Sequence, residues 1–134
     1  LARMAETWRE VPGTLAEDVA ELTGTGCGYV LVTGTGSAGG TLSDTLYGED
    51  GEIASYSTPH LPGPFIGAGS TISGTLAALL ASGAEPAQAA PAALAFTAGA
   101  LAHAQRFGMG KLVPNKFFKA APTAAMNPSS TPIE

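Results

Sequence analysis

A chain of 134 residues with a formal charge of -5 and only six Lys and Arg fits one domain able to bury its own core. That acidic balance excludes a nucleic-acid binder, because phosphate backbones need a cationic footprint. The single cysteine, Cys27, cannot form an internal disulfide and points to a reducing, cytoplasmic setting. The opening LARMAETWREV carries charge throughout and does not read as a signal peptide.

Thr14 stands as an N-cap before LAEDVAELTGTG. Leu15, Val19 and Leu22 recur on one face, with Glu17, Asp18 and Glu21 outward, which predicts a short amphipathic helix ended by Gly24 or Gly26. Residues 29–34, YVLVTG, form a continuous apolar and β-branched run, suited to a strand buried on both faces of a parallel sheet. Helix, short loop and buried strand is the grammar of an α/β fold, expected here as a mostly parallel sheet flanked by helices.

Residues 41–47 and 52–58 flank GEDG, strong turn chemistry that predicts a hairpin at the sheet edge. After the proline-rich PHLPGPF, the glycine loop opens a helix to Ser82, with Gly83 as its C-cap. A second helix is expected over residues 86–106, with Pro91 near its first turns, where proline does least harm. From FGMGKLVPNKFF onward the chain reads as irregular, and residues 121–134 have the composition of a flexible tail. One convincing central strand is an incomplete sheet, so the chain reads as part of a larger fold or as one completed by association.

The Ala- and Leu-rich stretch 72–104 raises the question of a membrane span. SGAEPAQAAP interrupts it with Glu85, Pro86, Gln88 and Pro91, and the first part falls short of the roughly 20 apolar residues a bilayer needs. Two buried helices joined by a turn, and no membrane segment, are expected instead.

In PFIGAGSTIS, Gly67 and Gly69 alternate just before the helix. The backbone N–H groups of Gly67, Ala68, Gly69 and Ser70 would then point out of the helix N-terminus, where the macrodipole adds about half a positive charge. Read without a ligand, the same stretch is an ordinary loop with Ser70 or Thr71 as N-cap. Thr33 and Gly34 end the buried run, at the place where open α/β sheets bind ligands. Asp44 reads as a turn or edge-strand residue holding the hairpin, and His103 as a packing or surface residue. Cys27 reads as a small buried hydrophobe; Phe107, Phe117 and Phe118 read as core or adenine-side packing. No His, Cys and carboxylate grouping has metal-ligand spacing.

In this order the motifs resemble those of the ribokinase-like vitamin kinases. GAGSTISGTLAALLASG is similar to the glycine loop and helix of hydroxymethylpyrimidine (phosphate) kinases of thiamine synthesis, which read Gly-Thr-Gly-Cys-Thr-Leu-Ser. Pyridoxal kinases carry Gly-x-Gly-Asp there. VLVTGTGS resembles the family's strand end, SDTLYG its Asp-x-Leu-Tyr/Phe element, and GMGKLVPNKFF its closing segment. The likeness spans residues 14–118 and implies that residues 1–120 form the C-terminal, nucleotide-binding portion of a ribokinase-like domain. The N-terminal half, which supplies most of the family's vitamin pocket, has no counterpart in it.

The resemblance implies a kinase using ATP and Mg²⁺ to phosphorylate hydroxymethylpyrimidine or its phosphate, with pyridoxal or pyridoxine kinase as the alternative. A third reading is a truncated, non-catalytic nucleotide-binding or dimerising homologue. Expected partners are ATP, a small vitamin precursor and a second copy in a homodimer. By resemblance Gly67, Ala68, Gly69 and Ser70 form the anion hole, Thr33 and Gly34 face the ATP phosphates, and Ser70 is the catalytic position. Ser70 replaces the family's Asp or Cys, and a serine hydroxyl does not take a proton near neutral pH without its own base. His60 is the nearest candidate helper in sequence. Ser70 then positions without deprotonating, marks lost activity, or is an engineered replacement.

Overall fold

A computed structural model describes residues 12–120; the charged opening and the tail expected over 121–134 lie outside the described residues. Helix α1 spans Leu15–Gly24 and opens with a capping box. Thr14 Oγ1 accepts from the Glu17 amide at 3.3 Å, and Glu17 Oε2 accepts from the Thr14 amide at 2.7 Å, so each satisfies a donor the other leaves over. Thr14→Ala is expected to lower stability by about 1 kcal/mol, read as a shift in denaturation midpoint. A midpoint unchanged by the substitution would show that the box does not hold this helix.

The face that α1 buries differs from the expected one. Val19 and Leu22 are buried against Val30, with Val32 and Tyr47 beside them, but Leu15 is exposed and Asp18 is buried. The reason is helical spacing: Asp18 lies four residues before Leu22 and shares its side of the helix. Cys27, expected to be buried, is exposed, and its thiol reaches the Tyr29 carbonyl at 3.1 Å.

Three strands follow, β1 (Val30–Ala38), β2 (Thr41–Gly48) and β3 (Gly51–Pro59), in the spatial order β1-β2-β3. Both pairings are antiparallel. The hairpin predicted around GEDG is present, with β2 central and β3 flanking it, but the expected parallel sheet is not formed among the described residues. Gly39 and Gly40 turn the chain straight back after β1, and a two-residue connection joins antiparallel strands only, since a parallel pair needs a long crossover. Nor is the apolar run buried on both faces. Val30 is buried, Leu31 and Val32 are half-buried, and the strand is exposed from Thr33 onward. An isolated bridge between Phe65 and Leu112 is parallel.

Helices α2 (Ala68–Ala81) and α3 (Pro86–Ala102) form the expected helical pair. Ser82 caps α2, and beyond it the Gly83 amide reaches the Leu80 carbonyl and the Ala84 amide the Leu79 carbonyl, the paired bonds of a Schellman motif. Only α3 is well buried, through Ala89, Ala90, Ala93, Leu94, Thr97 and Ala100, whereas α2 buries Thr71 alone. Pro91 lies inside α3 and has no N–H to offer the Ala87 carbonyl one turn back. The Tyr56 hydroxyl of β3 donates to that carbonyl instead, at 3.3 Å, which ties helix to sheet. Among the described residues no helix is long and apolar enough to cross a membrane.

Helix α3 stops at Ala102, short of the expected residue 106. Gln105–Arg106 (β4) then pairs antiparallel with Leu112–Val113 (β5) inside the stretch read as irregular. The returning segment is anchored on α3. The Asn115 amide donates to the Ala100 carbonyl at 2.9 Å, and the Phe118 ring lies where a Cβ on Gly99 would collide with it. Phe118 also packs on Phe96, with centroids 5.4 Å apart, and stacks on His103 at 5.3 Å. His103, expected as a packing or surface residue, is exposed and stacks on Phe118.

Candidate functional site

Strand β1 does not run straight past β2. Val32 pairs with Thr45 and Gly36 with Ser43, so Thr33, Gly34 and Thr35 together face the single residue Asp44. Such bulges bend the strand and re-aim its residues, and they concentrate beside functional sites. Gly34 takes φ 69°, a left-handed conformation that glycine adopts without the cost a side chain imposes. Its N–H donates to Asp44 Oδ1 at 2.9 Å, and Thr35 Oγ1 donates to the Ser43 carbonyl at 2.9 Å.

The bulge forms one wall of a cavity of about 250 Å³. Thr33, Gly34 and Asp44 line it from the sheet, Ala68 and Gly69 from the start of α2, and Leu94 and Thr97 from α3. Four of the residues singled out in the sequence therefore share one hollow, although the two pairs lie more than thirty positions apart.

Gly67 is the N-cap of α2, at φ 91°, and no side chain caps the helix. The first amide with a helical acceptor is that of Thr71, which donates to the Gly67 carbonyl at 3.0 Å. Thr71 Oγ1 turns back onto the same carbonyl at 2.8 Å, so neither it nor Ser70 is the cap that a plain loop reading requires. The amides of Ala68, Gly69 and Ser70 thus end the helix without an acceptor among the described residues, at its positive pole. Phosphate oxygens match that donor set.

Ser70 is exposed and lies off the wall of the cavity, and its hydroxyl has no hydrogen-bond partner among the described residues. His60 is exposed, with its amide bonded to the Gly40 carbonyl at 2.9 Å, and no hydrogen bond links it to Ser70 among those residues. Asp44, read as a turn or edge-strand residue, stands instead in the central strand and on the cavity wall. A glycine inside a strand-like run, as in TGT, is the signal that could have flagged the bulge.

A second hollow, about 350 Å³, is lined among others by Phe107, Pro114, Lys116 and Phe117, and a Cβ on Gly67 would meet Pro114 at 3.9 Å. The Ile66 amide donates to the Leu112 carbonyl and the Leu112 amide to the Pro64 carbonyl, each at 3.0 Å, which holds this hollow against the loop entering α2. Phe107 and Phe117 are 68% and 80% exposed, so neither belongs to the core. Among the described residues no group of three or more His, Cys, Asp or Glu could hold a metal ion.

The fold is that of the ribokinase-like vitamin kinases. The chain is similar to the solved structure of an ADP complex of Bacillus subtilis pyridoxal kinase, with a TM-score of 0.68 at 23% identity, over 79% of this chain and 41% of that one. The sequence model of the phosphomethylpyrimidine kinase family matches residues 3–115, and the chain belongs to that family. A comparison with curated proteins gave no match. The chain thus corresponds to less than half the length of the kinase it superposes on.

Proposed function

We propose that this chain carries the nucleotide side of an ATP-dependent vitamin kinase, acting on hydroxymethylpyrimidine or its phosphate. The observation that carries the proposal is the uncapped start of α2, entered from a left-handed glycine and opening onto the cavity walled by the β1 bulge. Phosphoryl transfer from ATP to an alcohol is mostly positioning and charge neutralisation. The amides of Ala68, Gly69 and Ser70 hold the terminal phosphate, and the helix pole offsets its charge. Gly69 contributes no side chain to the approach, and a Cβ there would meet nothing within 4 Å. The bulge residues Thr33 and Gly34 close the opposite side. The base end of the nucleotide fits the hollow beside Phe107 and Phe117, whose exposed rings offer an aromatic surface. Mg²⁺ arrives with ATP and screens the phosphate charge, since among the described residues no group of three or more His, Cys, Asp or Glu could hold it.

Ser70 sits at the mouth of this cradle without a base beside it. Its amide serves the cradle, while its hydroxyl does not deprotonate a substrate alcohol near neutral pH. Turnover by the chain as it stands is slow. Pyridoxal as the substrate is the second reading, favoured by the structural match to a pyridoxal kinase.

Calorimetric titration with MgATP tests the nucleotide site, and no heat at millimolar concentration removes it. Supplying an acid or thiol at the catalytic position, as Ser70→Asp or Ser70→Cys, is expected to raise the phosphorylation rate by about a hundredfold. Assayed against both vitamins, a gain confined to pyridoxal overturns the pyrimidine assignment.

A further inference from the structure

Asp44 is 2% exposed, and both of its carboxylate oxygens are engaged. Oδ1 accepts the Gly34 N–H at 2.9 Å, and Oδ2 accepts the Thr58 hydroxyl at 2.8 Å. It is also the one β2 residue opposite the three-residue bulge of β1. A buried carboxylate is retained where hydrogen bonds offset its desolvation, and here those bonds reach strands on both sides. Without Asp44 the Gly34 N–H would have no acceptor in the ladder, since the bulge takes it out of register with β2.

We infer that Asp44 is a positioning residue for the cavity, acting through the Gly34 amide. It fixes the bulge that forms the wall opposite the start of α2, and it does not itself hold the ligand. Two features separate these roles. Its oxygens are already occupied by Gly34 and Thr58, and its negative charge repels a phosphate, which belongs at the amides of α2. This inference rests on the nucleotide-site reading above only for its effect on binding; its effect on the bulge stands apart.

The test combines amide hydrogen exchange at Gly34 with ADP titration of the full chain. Asp44→Ala is expected to speed Gly34 exchange and weaken ADP binding by about tenfold each, from the loss of a charge-assisted hydrogen bond. Asp44→Asn keeps an oxygen for Gly34 and is expected to bring both values back to within about threefold of the parent. A Gly34 amide as protected in Asp44→Ala as in the parent overturns the inference. So does a loosened Gly34 with unaltered ADP affinity. Should Asp44→Ala fail to fold, Thr58→Val removes the hydroxyl that orients the carboxylate, with an expected change of about threefold in both readouts; no change in either overturns the proposal. If the parent does not bind ADP at millimolar concentration, the nucleotide reading falls. Gly34 exchange in Asp44→Ala then decides the positioning role alone, faster exchange supporting it and equal exchange refuting it.

Discussion

Gly69→Asp weakens MgATP binding by about a hundredfold and leaves the protein as stable as before, or more so. The two halves of that result have one cause. Gly69 is the second residue of α2, on the cavity wall, with room for a side chain, and the first turn of α2 carries no acidic residue. A carboxylate there meets the helix pole and gains about 0.3–1 kcal/mol. The same carboxylate sits where the phosphate must come, and two like charges brought together cost several kcal/mol. Gly69→Asn supplies a side chain of the same size without the charge, so its loss of affinity is expected to be much smaller. Calorimetry gives the affinities and thermal unfolding the stability. Equal affinity in the parent and the aspartate variant means that α2 begins in an ordinary turn.

The second large effect concerns stability. Helix α3 meets its neighbours through small side chains, with Ala93 and Ala100 at 0% exposure and Ala89 and Ala90 at 1%. Backbones packed over alanine stand close and leave no room for longer side chains. Ala93→Leu is expected to cost about 3 kcal/mol by overpacking. Ala92→Leu, one position along on an exposed face, stays within about 0.5 kcal/mol of the parent. Urea denaturation of both variants makes the comparison. If the two midpoints agree, α3 does not pack through the alanines named.

Local chemistry was the readable part of this sequence. Thr14 as an N-cap announces α1, GEDG the turn between β2 and β3, and the Ser82–Gly83 end of α2 falls within a residue of the expected one. What depended on distant partners was not readable. An apolar run such as YVLVTG is compatible with a parallel or an antiparallel neighbour, and the deciding feature, Gly39 and Gly40, lies beyond the run itself. The glycine in TGT hints at a bulge, but its extent follows only from the pairing of Val32 with Thr45 and of Gly36 with Ser43, and the place of Asp44 on the cavity wall follows with it. In α3 almost every residue is small and apolar, so periodicity gave no sign of which alanines face inward. At the candidate site, the glycine loop and the strand end are legible separately; that they line one cavity follows from the packing of α2 on α3 and of α3 on β3.

Phe118 filling the notch at Gly99, together with the Asn115 bond to Ala100, clamps both feet of the segment that follows α3. Between those feet the chain rises through β4 to a tip where Met109 is fully in solvent and descends through β5. Lengthening a loop whose ends are already pinned costs little, about 0.6 kcal/mol per doubling. The tip around Met109 is therefore a natural place to splice an epitope or attach a fluorescent dye. A dye there would lie two positions along the chain from Phe107, which lines the hollow it shares with Phe117, and would leave the helices undisturbed.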